Sequence, residues 1–352
     1  MATLALRTFF FMLVATVVLV LPLKSVQSAP EILYPPYAAK DPTDLPPPIK
    51  RKKPKTVTVD LIAEEVITEI EPGKKAWVWT FNGTVPGPMI RVMEGDTVVI
   101  NLTNDLGNEE PHNIDLHAAM GPGGGAVVTN VEPGETRTFS FKAVRQGSYI
   151  YHCAAEGMPW EHVAYGMFGM IVVEPKGGLK KVDREFYIGQ SDWYHDALSD
   201  GAHGIPTDVY VLDEEKAGEE HSSLFTFNGH KYALADPALY GETIRAEQHD
   251  KVRFFFVTGG PNIGSNWHII GTIFDKVYTG HVKDATRNEE TVYVPPGSAT
   301  VFELSTPVPG EFLIVDHALF RVPKGAGGLM HVDQVEDWPD DLYSPNPAEL
   351  MP

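Results

Sequence analysis

The sequence predicts an all-β protein made of two β-sandwiches in tandem, and three observations predict it. From Thr56 onward, short runs rich in β-branched and aromatic residues alternate with turn residues: TVTVDLIAEEVIT, DTVVINLTN, TRTFSFKA, SYIYHC and FGMIVVEP. Strong helical patterning is scarce. The second half also repeats the first, with Phe81-Asn82-Gly83 recurring as Phe227-Asn228-Gly229. GDTVVINLTND is matched by HDKVRFFFVTGGPN, and EPGETRTFSFKAVRQGSYIYHC by PPGSATVFELSTPVPGEFLIVDH. Anchors recurring in one order point to a duplicated unit. They place the sandwiches at 56–176 and 183–335.

The flanking segments follow in order. Arg7 precedes an apolar run from Thr8 to Leu23, and Val26-Gln27-Ser28 has the form of a cleavage site. This predicts a secretory signal peptide over 1–28. Residues 29–55 are Pro-rich and read as an extended arm. Its basic cluster, Lys50-Arg51-Lys52-Lys53, reads as a solvated surface feature. Residues 336–352 form a C-terminal tail. No stretch beyond the leader is long and apolar enough to span a membrane, so the mature protein is expected to be exported and periplasmic.

Composition narrows the function. A length of 352 residues suits two domains. Formal charge is −19, and loss of Arg7 and Lys24 with the leader makes it more negative still. Nucleic acid and anionic membrane are poor partners for such a chain. The single cysteine, Cys153, has no partner for an internal disulfide. It is a buried hydrophobe, a leftover thiol or a metal ligand.

Its surroundings favour a ligand. SYIYHCAAEGMPWEHVAYGMFG carries Cys153, His162 and Met167, spaced Cys-x8-His-x4-Met, and PHNIDLHAAM supplies His112 and His117 upstream. A thiolate, two imidazoles and a weak thioether are the copper set of electron-transfer cupredoxins. Side-chain alternation along a strand then sorts the candidates. His112 and His117 face opposite ways, as do His152 and Cys153, whereas Asp115 and His117 share a face. One set, His112, Cys153, His162 and Met167, points into the sandwich. The other, His117 and His152 with Asp115 beside them, points outward. The adjacent His152 and Cys153 therefore serve two different ions, joined by their peptide. Aligning Pro133-Gly134 with Pro296-Gly297 sets Asp316 opposite Cys153, so the second sandwich has no thiolate there. By the same alternation His317 lies on the outward face. If a first sandwich packs against a second, three imidazoles meet, and three histidines with an open position make a catalytic metal site.

At this point the chain resembles the copper-containing nitrite reductases of the two-domain cupredoxin type. The resemblance runs from about Thr56 to Val332 and rests on FNGTVPGPMIRV, HNIDLHAAMGPGGGA, TNVEPGET, YHCA, GMFG, WHIIGTIFDKVY and VDHALFRVPKGAGG. It implies two cupredoxin-like Greek-key sandwiches and a homotrimer with two coppers per subunit. The type 1 copper would take His112, Cys153, His162 and Met167. The type 2 copper would take His117, His152 and, from a neighbouring subunit, His317. Asp115 and His268 would handle protons, and Ile270 would crowd the substrate. Glu161 separates Trp160 from His162, where many members have tryptophan directly before the loop histidine, and Met120 stands where threonine is common. Both departures leave the ligands intact and bear on the type 1 colour, its potential and the donor-facing surface.

The reaction implied is nitrite plus one electron and two protons giving nitric oxide and water, as in denitrification. The electron donor would be a small cytochrome c or cupredoxin. Two alternatives use fewer of these residues. A multicopper oxidase needs several His-x-His pairs, and this chain has none. A pure electron-transfer cupredoxin leaves His117, His152, Asp115, His268 and His317 without a task.

Overall fold

The structure is a computed structural model and describes residues 31–32, 37–344 and 346–347. The expected leader over 1–28 lies outside the described residues. Among the described residues, no helix is long and apolar enough to cross a membrane.

The first sandwich has one sheet with Lys74–Phe81, Thr56–Glu71, Thr97–Asn104 and Thr136–Lys142 side by side. The facing sheet orders Ile90–Met93, Phe168–Glu174, Gly147–His152 and Asp115–Leu116. In the second, Leu224–Phe227, Arg184–Trp193, Lys251–Gly260, Ser298–Ser305 and Phe274–Tyr278 face Arg245–Glu247, Gly327–Asp333, Gly310–Asp316, Ser265–Ile269 and Thr291–Val294. The all-β, two-sandwich expectation therefore holds.

The sequence pattern explains which strands lie where. Thr97–Asn104 alternates strictly, burying Val98, Ile100, Leu102 and Asn104, as befits a strand with one wet face. Phe168–Glu174 is buried throughout. Its Ile171 and Val173 enter the core of the first sandwich. Its Phe168, Met170 and Val172 enter a separate apolar layer between the sandwiches. Lys251–Gly260 does the same, with Phe254 and Phe256 in the second core and Phe255 and Val257 in the shared layer. Continuous apolar runs mark the strands covered on both faces.

Polar contacts tie that layer down. The Ser148 hydroxyl donates to the carbonyls of Thr279 and Ala299, each at 3.0 Å. Buried Arg91 pairs with Glu174 and, at 2.7 Å, with Glu185. Arg253 pairs with Glu185 and Glu303, each at 2.6 Å. Burial alone would raise the Glu185 carboxyl, but the hydrogen bonds and charges of Arg91 and Arg253 hold it below its usual range.

The internal repeat is visible in hydrogen bonds as well as letters. Asn82 and Asn228 both have φ 55°, and each is followed by glycine at positive φ, the conformation tight hairpin turns require. Asn82 Oδ1 accepts from Ile62 N at 2.8 Å, and Asn228 Oδ1 accepts from Gly189 N at 2.8 Å.

Two features differ from the linear reading. The described part of the Pro-rich arm is a strap packed on both sandwiches. Pro42 O accepts from Tyr187 N at 2.8 Å and Pro46 O from Arg91 Nη1 at 2.9 Å. Within its basic cluster Lys50, Lys52 and Lys53 are exposed, but Arg51 is not a solvated charge. It forms a forked ion pair with the fully buried Asp96, which offsets the cost of burying that carboxylate. The second feature is a return of the chain. The short strands Ala197–Leu198 and Tyr210–Val211 extend the first sandwich's sheet, where Tyr210 pairs with Ala76, and Ile205 and Val209 enter its core.

Candidate metal centres

The inward cluster is built where the strand Gly147–His152 ends. Cys153 is the next residue and is fully buried. The chain then turns at Ala155–Gly157 and forms the short helix Pro159–Ala164, which carries His162 back toward the cysteine. Cys153 N donates to Met167 O at 3.1 Å and Met167 N to His162 O at 3.0 Å, closing the loop. Met167 is fully buried beside them. His112 comes from the neighbouring segment, held by its paired hydrogen bonds with Val131.

The ligand-type atoms converge. His112 Nδ1 lies 3.3 Å from His162 Nδ1 and 3.8 Å from Cys153 Sγ. Asn113 N donates to Sγ at 3.2 Å, and Asn113 Oδ1 accepts from Ala154 N at 2.7 Å. Burial pushes the Cys153 thiol up to about 12, although the Asn113 N–H opposes it. Burial pushes both imidazoles down to about 3. Two neutral rings with converging nitrogens and a thiolate-capable sulfur suit a cation of soft-to-borderline character. Nearby charge of that sign is what would keep the sulfur ionised.

The cluster has an aromatic wall and a carboxylate behind it. Trp79 meets His112 edge-on at 5.4 Å and His162 at 4.8 Å, and stacks on Tyr165 at 4.1 Å. Glu65 Oε1 lies 3.1 Å from His112 Nε2, with both side chains fully buried. Burial raises the Glu65 carboxyl to about 7, while the N–H groups of Glu110 and Glu109 pull it down. Sequence reasoning missed Glu65, Asn113 and Trp79. For Glu65 a signal existed: it shares strand parity with Leu61, Ala63 and Ile67, all core residues, so a carboxylate stands at an inward position.

The outward cluster lies on the other side of the same strand end. His117 Nε2 is 3.2 Å from His152 Nε2. His152 Nδ1–H donates to Cys153 O at 2.9 Å, which leaves Nε2 as the free nitrogen. Burial, and then His152, lower the His117 pKa. Asp115 pairs in register with His152, and its carboxylate joins the two rings within 4.8 Å. Gly124 keeps that space open: at φ 52°, a Cβ there would stand 2.1 Å from Asp115 Oδ1.

The second sandwich contributes a separate pair. His268 sits on Ser265–Ile269 and His317 just past Gly310–Asp316, with ring centroids 5.2 Å apart. His268 Nδ1–H donates to Glu290 O at 2.6 Å, leaving Nε2 free. His317 and Ile270 are exposed. Among the described residues, the outward cluster within one chain holds two imidazoles and one carboxylate, all from the first sandwich. His317 is not brought into it.

The duplicated sandwich shows what replaces the sulfur. Asn113 N donates to Cys153 Sγ, and Asn266 N donates to Asp316 Oδ1 at 3.2 Å. Asp316 is fully buried and also accepts from Arg321 Nη1 at 2.6 Å, Gln190 Nε2 at 2.9 Å and Ala318 N at 3.0 Å. Arginine and amide donors occupy that carboxylate. Counting from the two asparagines sets Asp115 opposite His268 and His117 opposite Ile270 in the repeat.

Comparison with known proteins points to copper enzymes. The family described as multicopper oxidase matches residues 63–178. A copper-containing nitrite reductase of Neisseria meningitidis serogroup B is 43% identical over 295 residues, covering 84% of this chain and 73% of the relative. The solved copper nitrite reductase of Nitrosomonas europaea is 32% identical, with a TM-score of 0.68 over 80% of this chain and 95% of its own. That of Thermus scotoductus is 31% identical, with a TM-score of 0.67 over 82% and 63%.

Proposed function

The chain belongs to the copper-containing nitrite reductases, and from that premise we propose how its residues divide the work of reducing nitrite by one electron to nitric oxide and water. His112, Cys153, His162 and Met167 hold the type 1 copper. His117 and His152 hold the type 2 copper together with His317 of a neighbouring subunit in a homotrimer. When bound, the first copper relays one electron and the second binds and polarises nitrite.

One observation carries the reading: two donor clusters meet back to back across a single peptide. His152 donates from Nδ1 to the Cys153 carbonyl at 2.9 Å, and its Nε2 points to His117. With both ions held, that peptide would link them by a short covalent route. A pure carrier would use only the inward cluster, and copper content separates the cases: two per chain for the reductase, one for the carrier.

The protons have two handlers. The reaction consumes two, and one nitrite oxygen leaves as water. Asp115, beside the His117 and His152 rings, presents its carboxyl group to that oxygen as hydrogen-bond partner and proton donor. His268, anchored through Nδ1–H on Glu290 O, leaves Nε2 to take up and pass on the second proton. Exposed Ile270 limits how nitrite turns above the site. Export to the periplasm, a role in denitrification and a small cytochrome c or cupredoxin as donor complete the reading.

The test is anaerobic nitric oxide release from nitrite, followed with an electrode on copper-loaded protein and a reduced dye. Sustained release, abolished by His152→Ala, is expected. Copper-replete protein that releases none would sink the reading.

A further inference from the structure

We propose that Glu65 is a positioning residue of the inward copper site, holding the His112 ring through Nε2–H and biasing the copper toward its oxidised state. The inference rests on the reading of His112 and Cys153 as ligands and goes beyond it, since Glu65 lies outside the ligand set.

The geometry is specific. Glu65 lies on an inward position of Thr56–Glu71, in a row with Leu61, Ala63 and Ile67. A carboxylate in an apolar core is unfavourable unless it is fully hydrogen-bonded. Here three donors reach it: Glu109 N at 3.2 Å on Oε2, and Glu110 N at 2.9 Å and His112 Nε2 at 3.1 Å on Oε1. Two of these partners are backbone N–H groups, and with Nδ1 taken as the ligand atom His112 presents Nε2–H as the third, so the carboxyl is used as an acceptor. The strand is itself clamped at this point, where Asn108 Oδ1 accepts from Glu65 N at 2.8 Å and Asn108 Nδ2 donates to Ala63 O at 2.9 Å.

The consequence lies on the other edge of the ring. Nδ1 is the His112 nitrogen turned toward His162 and Cys153. Taking up Nε2–H fixes the tautomer that leaves Nδ1 a lone pair, and locks the ring plane. A carboxyl oxygen accepting at the far nitrogen also makes the ligand more basic, which favours the higher copper charge. Glu65 therefore lowers the potential of the inward copper and keeps transfer toward the outward site downhill.

The test is Glu65→Gln, read by redox titration of the thiolate-to-copper band. Outer-shell partners change metal affinity by roughly tenfold or more. The expected result is a roughly tenfold loss of preference for Cu(II), a rise of about 59 mV for one electron. The band itself should move, with total copper and the outward copper's resonance signal unchanged. An unchanged potential and band in a copper-replete variant would overturn the proposal. If Glu65→Gln does not fold, the wild-type protein answers: its reduced-minus-oxidised infrared spectrum, taken as only the inward copper is titrated, should carry a carboxylate band. Absence of that band would equally overturn it. A wild-type protein with no thiolate-to-copper band at all would instead remove the ligand reading.

Discussion

His152 and Cys153 are adjacent in the chain and belong to different clusters. The cysteine sulfur is fully buried, 3.8 Å from His112 Nδ1. His152 Nε2 stands 3.2 Å from His117 Nε2 on the other side. One peptide therefore separates two clusters of ligand-type groups, and substitutions on its two sides should have separable effects.

Cys153→Ala should abolish the visible thiolate-to-copper absorption and donor-driven turnover while leaving the outward copper bound. Optical and electron paramagnetic resonance spectra on one sample check both halves. Survival of the absorption would remove Cys153 from the ligand set.

Asp115→Asn should retain both coppers and lose about 10²-fold or more in nitrite turnover, the range of a lost general acid. Copper content and nitric oxide release are the readouts. Wild-type turnover with full copper would show that the carboxylate does not handle the proton.

Glu185→Ala should destabilise the chain by about 3–5 kcal/mol, because it leaves Arg91 and Arg253 buried and short of a partner. Denaturant unfolding measures it. A change within experimental error would mean that water replaces the carboxylate at the junction of the sandwiches.

The copper-free protein should lose stability as pH falls. His112 and His162 are pushed down to about 3 and His195 to about 4 by burial. The unfolded chain then binds more protons than the folded one below the ordinary histidine pKa of about 6.5. The stability is fully present above about pH 6.5 and drains away toward pH 3–4. Melting temperatures of copper-free protein across that window check the sign. A midpoint that rises on acidification would contradict it.

How much of this was legible in the sequence depends on the distance over which each feature is made. Cys153, His162 and Met167 sit in one loop, so their spacing alone suggested a site. The two-set sorting came from alternation, although only Asp115–Leu116 of the upstream segment is regular strand. The pairing of His268 with His317 depends on the register of Ser265–Ile269 against Gly310–Asp316, and the sequence offered only an outward position for His317 and, through the resemblance, a proton-handling role for His268. Arg51 looked like part of a solvated run because its partner Asp96 lies on a different turn of the chain. The return of residues 197–211 to the first sheet has no counterpart in the repeat, so nothing in the repeated anchors announced it. Glu65 was readable from parity alone, but a single glutamate in a strand carries no motif.

The most direct measurement mixes two inactive subunits. His152→Ala damages the first-sandwich half of the outward site, and His317→Ala damages the half assigned to the neighbour. Each variant alone should release no nitric oxide. Assemblies containing both, co-produced and isolated by two different tags, should regain activity, because some interfaces join an intact His152 to an intact His317. Mixed assemblies as inactive as their parents, with the inward copper fully loaded, would contradict a nitrite site built from two copies of this chain.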